Sequence, residues 1–115
     1  MTQTIDAAAF QQMVIHAAAA ISAQKQHIND LNDGDTGTNM SLTISAAAAE
    51  LKKKQCATVG EVAQTAASAL LRGARGNSGV ILSLLFRGIA KSLKDRETID
   101  GRDLAIALDF GVAAA

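Results

Sequence analysis

The sequence predicts an all-α domain of helices that pack antiparallel. Apolar residues make up 49% of the 115 positions, and alanine, a strong helix former, is the commonest of them. Proline is absent, so helices should end only at glycines and capping residues. The short connections between the predicted helices favour antiparallel neighbours, and the length suits one compact domain.

The first two helices are predicted from apolar residues spaced along one helix face. The first should run over about residues 6–25, with Asp6 as its N-cap. The second should start directly after the segment LNDGDTGTNM of residues 31–40. The two apolar stripes are Phe10, Val14, Ala17, Ala18 and Ile21, and then Met40, Ile44, Ala47, Ala48 and Leu51.

Three more helices are predicted from capping residues. Thr58 and Glu61 have the spacing of a capping box, which should open a third helix that ends at Gly73. A fourth helix should begin at residues 77–78, where asparagine and serine are both good N-caps, and Asp100 should cap a fifth. No stop signal follows the fifth helix, so we expect the chain to be a fragment of something longer.

Composition and charge exclude several classes of function. Eleven Lys and Arg residues balance eleven Asp and Glu residues, and no basic stripe with aromatic residues is present, which disfavours nucleic acid as a partner. The longest apolar runs fall short of the ~20 residues that a transmembrane helix needs. The single cysteine, Cys56, cannot form an internal disulfide, and no signal peptide is visible, so a cytoplasmic location is expected.

Two polar segments with glycines open predicted helices, and this position favours phosphate binding. Residues 32–40, NDGDTGTNM, open the second helix, and residues 73–79, GARGNSG, open the fourth. The first N–H groups of a helix attract anions, and glycines let a phosphate approach the backbone closely. If both helix starts face one pocket, they could hold a polyphosphate. Mg²⁺ would then separate the phosphates from the carboxylates of Asp33 and Asp35.

From the residues alone, a purely structural role for these segments stays open. Asx and glycine clusters often form ordinary turns, and Asp33 and Asp35 could simply interact with a helix dipole. A calcium EF-hand is disfavoured, because the sixth position from Asp33 is Thr38 instead of glycine and the twelfth is Ile44 instead of glutamate. The Gly-Lys-Ser/Thr of a Walker A loop is absent from the sequence.

The segments DGDTGTNM and RGARGNSGVILS together resemble the N-terminal kinase domain of fatty acid kinase. That domain is a relative of the nucleotide-binding L subunit of dihydroxyacetone kinase. The resemblance extends over residues 1–115, including INDLN before the first segment and FRGIA after the second. It implies an up-and-down barrel of eight helices, of which this chain would be an incomplete piece, with ATP or ADP and two Mg²⁺ ions bound at one end.

The resemblance also implies roles for individual residues. Asp33 and Asp35 match the metal-binding carboxylates on which catalysis depends, and Asn32 lies near the place of a further metal ligand. The implied nucleotide-binding residues are Thr36, Thr38, Asn39 and Met40 in the first segment and Gly76, Asn77, Ser78 and Gly79 in the second.

The sequence departs from the family pattern before Asp33. Relatives have a short apolar segment with proline between LN and DGD, whereas Asn32 here runs straight into Asp33. We therefore expect that a loop between residues 32 and 33 is either deleted or missing from the sequence. Family kinase domains also continue through further helices, so residues 1–115 would hold only part of the site.

The function that the resemblance implies is phosphoryl transfer from ATP. The acceptor would be the carboxylate of a fatty acid held by a separate fatty-acid-binding carrier protein, and the product would be an acyl phosphate. A homodimer stays open. Two alternatives remain, namely the L subunit of a dihydroxyacetone kinase and a non-catalytic helical interaction module whose polar loops are only caps and turns. TGTNM and GARGNSGVILS favour the fatty acid kinase.

Five other polar residues have simpler expected roles. His16 and His27 are too far apart along one predicted helix to share an ion, and we expect them at the surface or in packing. Cys56 is expected to be a lone thiol on the solvent side. Arg72 and Arg75 could neutralise phosphate, although arginines at a helix end are more often solvated.

Overall fold

The computed structural model describes residues 4–31 and 34–115, and these form six helices. The helices are α1 (Ala7–Ala23), α2 (Lys25–Leu31), α3 (Thr36–Lys53), α4 (Val59–Gly73), α5 (Gly76–Ser92) and α6 (Gly101–Ala114). In the described part of the chain, strand-like pairing is limited to one bridge between Ile5 and Ile99. The predicted all-α class is therefore confirmed.

Three helices begin where the sequence predicts, and each is capped by the side chain of its own N-cap residue. These caps are Asp6 for α1, Thr58 for α4 and Asp100 for α6. At α6 the cap is a complete capping box, because Asp100 and Asp103 each accept a hydrogen bond from the backbone N–H of the other. The predicted end of α4 at Gly73 is also confirmed.

The capping box predicted at Thr58 is only half formed. The Thr58 hydroxyl accepts a hydrogen bond from the N–H of Glu61 at 3.1 Å. The Glu61 carboxylate, however, accepts from the N–H of Ala57 at 3.0 Å, one residue before the N-cap. The spacing of the two side chains therefore predicted the cap of α4 correctly but not the return bond.

The first predicted helix is in fact two helices. α1 ends one residue before Gln24 and α2 begins one residue after it. At Gln24 the backbone leaves the helical region, with φ −103° and ψ 6°. This break was not predicted, because the spacing of apolar residues gives no sign of it and no proline or glycine lies at this point in the sequence. His16 and His27 consequently lie on different helices, and both are exposed.

The two helices that follow the polar segments begin earlier than predicted. α3 begins at Thr36, inside the segment of residues 31–40, and α5 begins at Gly76 instead of at residues 77–78. In each case a backbone hydrogen bond to the carbonyl of the N-cap residue closes the first turn, at 2.9 Å in α3 and 3.1 Å in α5. Much of each polar segment is therefore helical.

The core lies among α1, α3, α4 and α5, and small side chains allow these helices to pack closely. Helix α3 packs on α4, α4 on α5 and α5 on α6, while α1 lies against α3 and α4. Helix α2 packs mainly on α3. The largest fully buried side chains are Ile44, Leu51, Leu70, Leu93, Val59, Val62 and Thr43.

Helix α6 packs on α5 through two glycines. A Cβ atom on Gly88 would lie 2.5 Å from the carbonyl oxygen of Phe110, and one on Gly111 would lie 2.6 Å from that of Leu85. The backbones can therefore approach this closely only because both positions lack a side chain. Within the described ranges, no helix is both long and apolar enough to cross a membrane.

Candidate functional site

The N-terminal ends of α3 and α5 border one cleft of about 280 Å³. Both polar segments identified in the sequence contribute to it, and every lining residue was among the predicted site residues. The hydroxyl of Ser78 donates to the carbonyl of Thr36 at 3.4 Å, which is a long hydrogen bond between the two helix starts. The cleft is lined by Asp35, Thr36 and Asn39 on one side and by Gly76, Asn77 and Ser78 on the other.

Gly76 and Asn39 bring the two segments into direct contact. Gly76 has a φ of +67°, which glycine adopts without strain. The side-chain amide of Asn39 lies where a Cβ atom on Gly76 would be. Any other residue at position 76 would therefore have to displace the Asn39 amide and would be strained by the positive φ.

The carboxylate of Asp35 lies at the edge of the cleft and does not cap its helix. Asp35 is the N-cap residue of α3 by position, yet its side chain makes no capping hydrogen bond. An aspartate at this position normally accepts a bond from an N–H of the first turn. Asp35 therefore does not act as a capping acceptor, while an interaction with the helix dipole stays open, and the exposed residue lines the cleft.

The capping role at α3 belongs to Asn29, a buried residue of α2. Its side-chain oxygen accepts a hydrogen bond from the N–H of Thr38 at 3.0 Å, and its side-chain nitrogen donates to the Thr38 hydroxyl at 2.9 Å. The carbonyl of Asn29 also accepts from the N–H of Gly34 at 3.2 Å. Asn29 thus holds the turn before α3 and satisfies the helix end, which leaves the Asp35 carboxylate available.

A second buried polar residue, Thr43, holds the start of α5. Its hydroxyl accepts a hydrogen bond from the N–H of Arg75 at 3.0 Å and donates to the carbonyl of Asn39 at 2.7 Å. Neither Thr43 nor Asn29 was predicted from the sequence to belong to the site. A signal existed for Thr43, since it lies on the apolar face of the second predicted helix between Met40 and Ala47.

Three predicted nucleotide-binding residues lie beside the cleft and do not line it. Thr38 is bonded to Asn29, and Met40 is half-buried against the hydrophobic core. Gly79 is buried, and a Cβ atom there would collide with the Thr43 hydroxyl. These three residues support the backbone of the cleft, and their contact with a nucleotide stays a prediction.

Asn32 and Asp33, two of the three predicted metal ligands, lie outside the described residues. Within residues 4–31 and 34–115, no three His, Cys, Asp or Glu side chains converge as a metal site would require. Among the described residues that line the cleft, Asp35 supplies the one carboxylate. Mg²⁺ is often held by one or two carboxylates together with phosphates and water, so this donor set fits a nucleotide-bound Mg²⁺.

The two arginines near the second segment differ in position. Arg72 lines a separate cleft with Glu50 and Lys54, among other residues. Arg75 is the N-cap residue of α5, and only its backbone is placed at the site by the bond to Thr43. Neither side chain lines the cleft between the helix starts.

Cys56 does not lie on the solvent side as predicted. It is half-buried and packs against the hydrophobic core, with its sulfur 3.9 Å from the hydroxyl of Thr65. The connection after α3 turns inward here, so a position that looks polar in sequence contributes to packing.

The fold and the cleft define a helical domain suited to binding an anion between two helix N-termini. The sequence profile of the DAK2 domain matches residues 30–115. The chain therefore belongs to the DAK2 domain family, the ATP-binding part of DAK-family kinases, whose members bind ATP with Mg²⁺.

Bacterial proteins of much greater length contain a similar segment. An uncharacterised protein of Staphylococcus saprophyticus is 42% identical over 100% of this chain, which covers 22% of that protein. Protein YloV of Bacillus subtilis is 39% identical over 98% of the chain and 21% of its own length. An uncharacterised protein of Staphylococcus haemolyticus is 40% identical over 100% of this chain, which covers 22% of that protein. The chain thus spans about a fifth of the length of these relatives.

Proposed function

We propose that this chain is the part of a fatty acid kinase that binds ATP and Mg²⁺. The observation that carries the proposal is the cleft in which the N-termini of α3 and α5 meet with Asp35 at its edge. The six described residues that line it all come from DGDTGTNM and RGARGNSGVILS, the two segments that resemble fatty acid kinase. Membership of the DAK2 family supports the nucleotide, and the two segments support the choice of kinase.

The residues of the cleft suit a triphosphate. The positive ends of two helix dipoles lie on either side, and the side chains of Asn39, Asn77 and Ser78 offer hydrogen-bond donors. Asp35 would hold Mg²⁺, together with Asp33 and Asn32 as the resemblance implies. Mg²⁺, when bound, neutralises charge on the phosphates as the phosphoryl group transfers.

The proposed acceptor explains why the site needs no general base. A fatty acid carboxylate is ionised at neutral pH, so its oxygen can attack the γ-phosphorus without losing a proton. The bond from the γ-phosphorus to the β,γ-bridging oxygen breaks, ADP leaves with that electron pair, and an acyl phosphate results. The chain's own residues then act by positioning and by stabilising charge, which is how phosphoryl transfer is mainly catalysed.

The acyl chain would be bound by another protein. The cleft is lined by polar side chains and glycine, which offer little surface to a hydrocarbon tail. We propose that a separate fatty-acid-binding carrier protein holds the tail and presents the carboxylate at the cleft.

The test compares acceptors in the complete protein that carries this chain. Acyl phosphate, trapped with hydroxylamine, should form from ATP, Mg²⁺ and a fatty acid loaded on its carrier, and dihydroxyacetone should not be phosphorylated. Phosphorylation of dihydroxyacetone would instead assign the chain to the L-subunit type. Absence of Mg²⁺-dependent ATP binding would indicate a helical interaction module without catalysis.

A further inference from the structure

We propose that Thr43 is a positioning residue that fixes the starts of α3 and α5 relative to each other, and so sets the width of the nucleotide site. This inference rests on the proposed function, because it assigns Thr43 a role in binding Mg·ATP. Thr43 does not line the cleft, and it would act through the two backbone segments that do.

The geometry joins the two halves of the site through one hydroxyl. Thr43 Oγ1 donates to the carbonyl of Asn39, four residues earlier in α3, as threonines in helices often do. The unusual contact is the second one, in which the same oxygen accepts from the N–H of Arg75, 32 residues further along the chain. Asn39 lines one side of the cleft, and Arg75 directly precedes Gly76, which lines the other side.

Burial makes this link stronger than the other contacts across the cleft. Thr43 has a relative exposure of 0%, so water does not compete for its hydroxyl. Its bond to the Arg75 N–H, which joins the two halves, measures 3.0 Å, whereas the bond from Ser78 to Thr36 measures 3.4 Å. The absent side chain of Gly79 leaves the space that the hydroxyl occupies.

Two substitutions separate the hydroxyl from the shape of the side chain. Thr43→Val keeps the branched shape but removes the acceptor for the Arg75 N–H, and Thr43→Ser keeps the hydroxyl. The matched control is Thr65→Val, which alters another buried threonine, on α4, whose hydroxyl lies near Cys56 and away from the cleft.

The measurements are the affinity for Mg·ATP and the kinetic constants of the complete protein. We expect Thr43→Val to raise the Kd and the KM for Mg·ATP about tenfold or more. The reason is that the start of α5 would be misplaced and the N–H of Arg75 would lose its acceptor, which weakens phosphate binding. Thr43→Ser and Thr65→Val should stay within about threefold of wild type, and the KM for the loaded carrier should not change in any variant. Hydrogen exchange at the Arg75 amide should accelerate in Thr43→Val without nucleotide, and stay slow in Thr43→Ser.

The outcomes separate this inference from the proposed function. If the wild type binds Mg·ATP and Thr43→Val binds it equally well, Thr43 is not a positioning residue, while the proposed function stands. Unchanged exchange at Arg75 in Thr43→Val would likewise overturn the link between the two helix starts. If the wild type binds no Mg·ATP, the proposed function fails and the role of Thr43 in nucleotide binding fails with it.

Discussion

The side-chain oxygen of Asn29 caps helix α3 from α2 by accepting a hydrogen bond from the N–H of Thr38 at 3.0 Å, and its side-chain nitrogen donates to the Thr38 hydroxyl at 2.9 Å. Helices α1, α4 and α6 are capped by their own N-cap side chains. At α3 the N-cap residue is Asp35, and its carboxylate makes no such bond. The N–H of Thr38 is therefore satisfied without the carboxylate of Asp35, which among the described residues of the cleft is the one that stays available to a cation.

The first prediction concerns Asp35→Asn in the complete protein. The change removes a charge but no hydrogen bond of the helix start, so thermal unfolding should remain nearly unchanged. Mg²⁺-dependent acyl phosphate formation should fall about a hundredfold or more, because such charge stabilisation is commonly worth about 3 kcal/mol. The measurements are Mg·ATP affinity, turnover and the melting curve of both forms.

Asp6→Ala is the control for that experiment. Asp6 does cap its helix, so its loss should lower the free energy of unfolding by about 1 kcal/mol. Its effect on turnover should be small, because it does not line the cleft. If Asp35→Asn keeps activity within a few-fold, the metal-ligand role of Asp35 is wrong.

The second prediction concerns Asn29→Ala. This substitution removes the cap of α3 and leaves the N–H of Thr38 without its acceptor, so the free energy of unfolding should fall by about 1 to 2 kcal/mol. Hydrogen exchange over residues 36–40 should accelerate more than elsewhere. Gln26→Ala is the control, because the exposed bond from Gln26 to Asp30 should contribute less than about 0.5 kcal/mol. Equal effects of the two substitutions would show that Asn29 is not the cap.

The third prediction concerns the crossing of α5 and α6. Gly88→Ala places a methyl group against the backbone of Phe110 and Gly111, which cannot yield without separating the helices. We expect a loss of about 1 to 3 kcal/mol in chemical denaturation. Gly101→Ala is the matched control, since a Cβ atom there meets nothing within 4 Å, and it should be neutral or slightly stabilising. A neutral Gly88→Ala would contradict the close crossing.

The fourth prediction is a dependence of stability on pH. The hydrogen bond from the Asp100 N–H and the nearby Arg96 guanidinium, 2.9 Å away, hold the pKa of Asp103 below its ordinary value. A carboxyl whose pKa is lower in the folded state stabilises the fold fully above its unfolded pKa of about 4. That contribution is lost as the pH falls through the lower folded value.

Comparison of wild type with Asp103→Asn tests this expectation. Wild type should melt at a higher temperature at pH 7, and the difference should shrink below about pH 4 and vanish at still lower pH. If the difference in melting temperature between wild type and Asp103→Asn stays constant down to about pH 2, the charge of Asp103 does not stabilise the helix start.

The starts of three helices were predictable, because their capping residues lie close in sequence to the groups that they cap. Asp6, Thr58 and Asp100 were assigned correctly as caps, because an N-cap bonds to an N–H only two or three residues away. The break at Gln24 and the early start of α3 were not predicted. Both depend on how α2 packs on α3, including the close approach of Gly37 to the Lys25 carbonyl.

The residues of the candidate site were predicted from the sequence, but their arrangement was not. The segments around Asp35 and Asn77 contain phosphate-binding chemistry that composition and resemblance both indicate. That their helix starts border one cleft depends on the packing of α3 against α4 and α5.

The helical class, the starts of α1, α4 and α6, the end of α4 and the chemistry of the two polar segments were predictable from the sequence, because each depends on neighbours along the chain. The cap that Asn29 provides for α3 and the link that Thr43 makes between the two halves of the site follow from how the helices pack. Each of these contacts spans separate helices, and a single polar residue on a helix face does not reveal its partner. The physical reason is that buried hydrogen-bonding groups must find partners wherever packing brings them, and packing is a property of the whole fold.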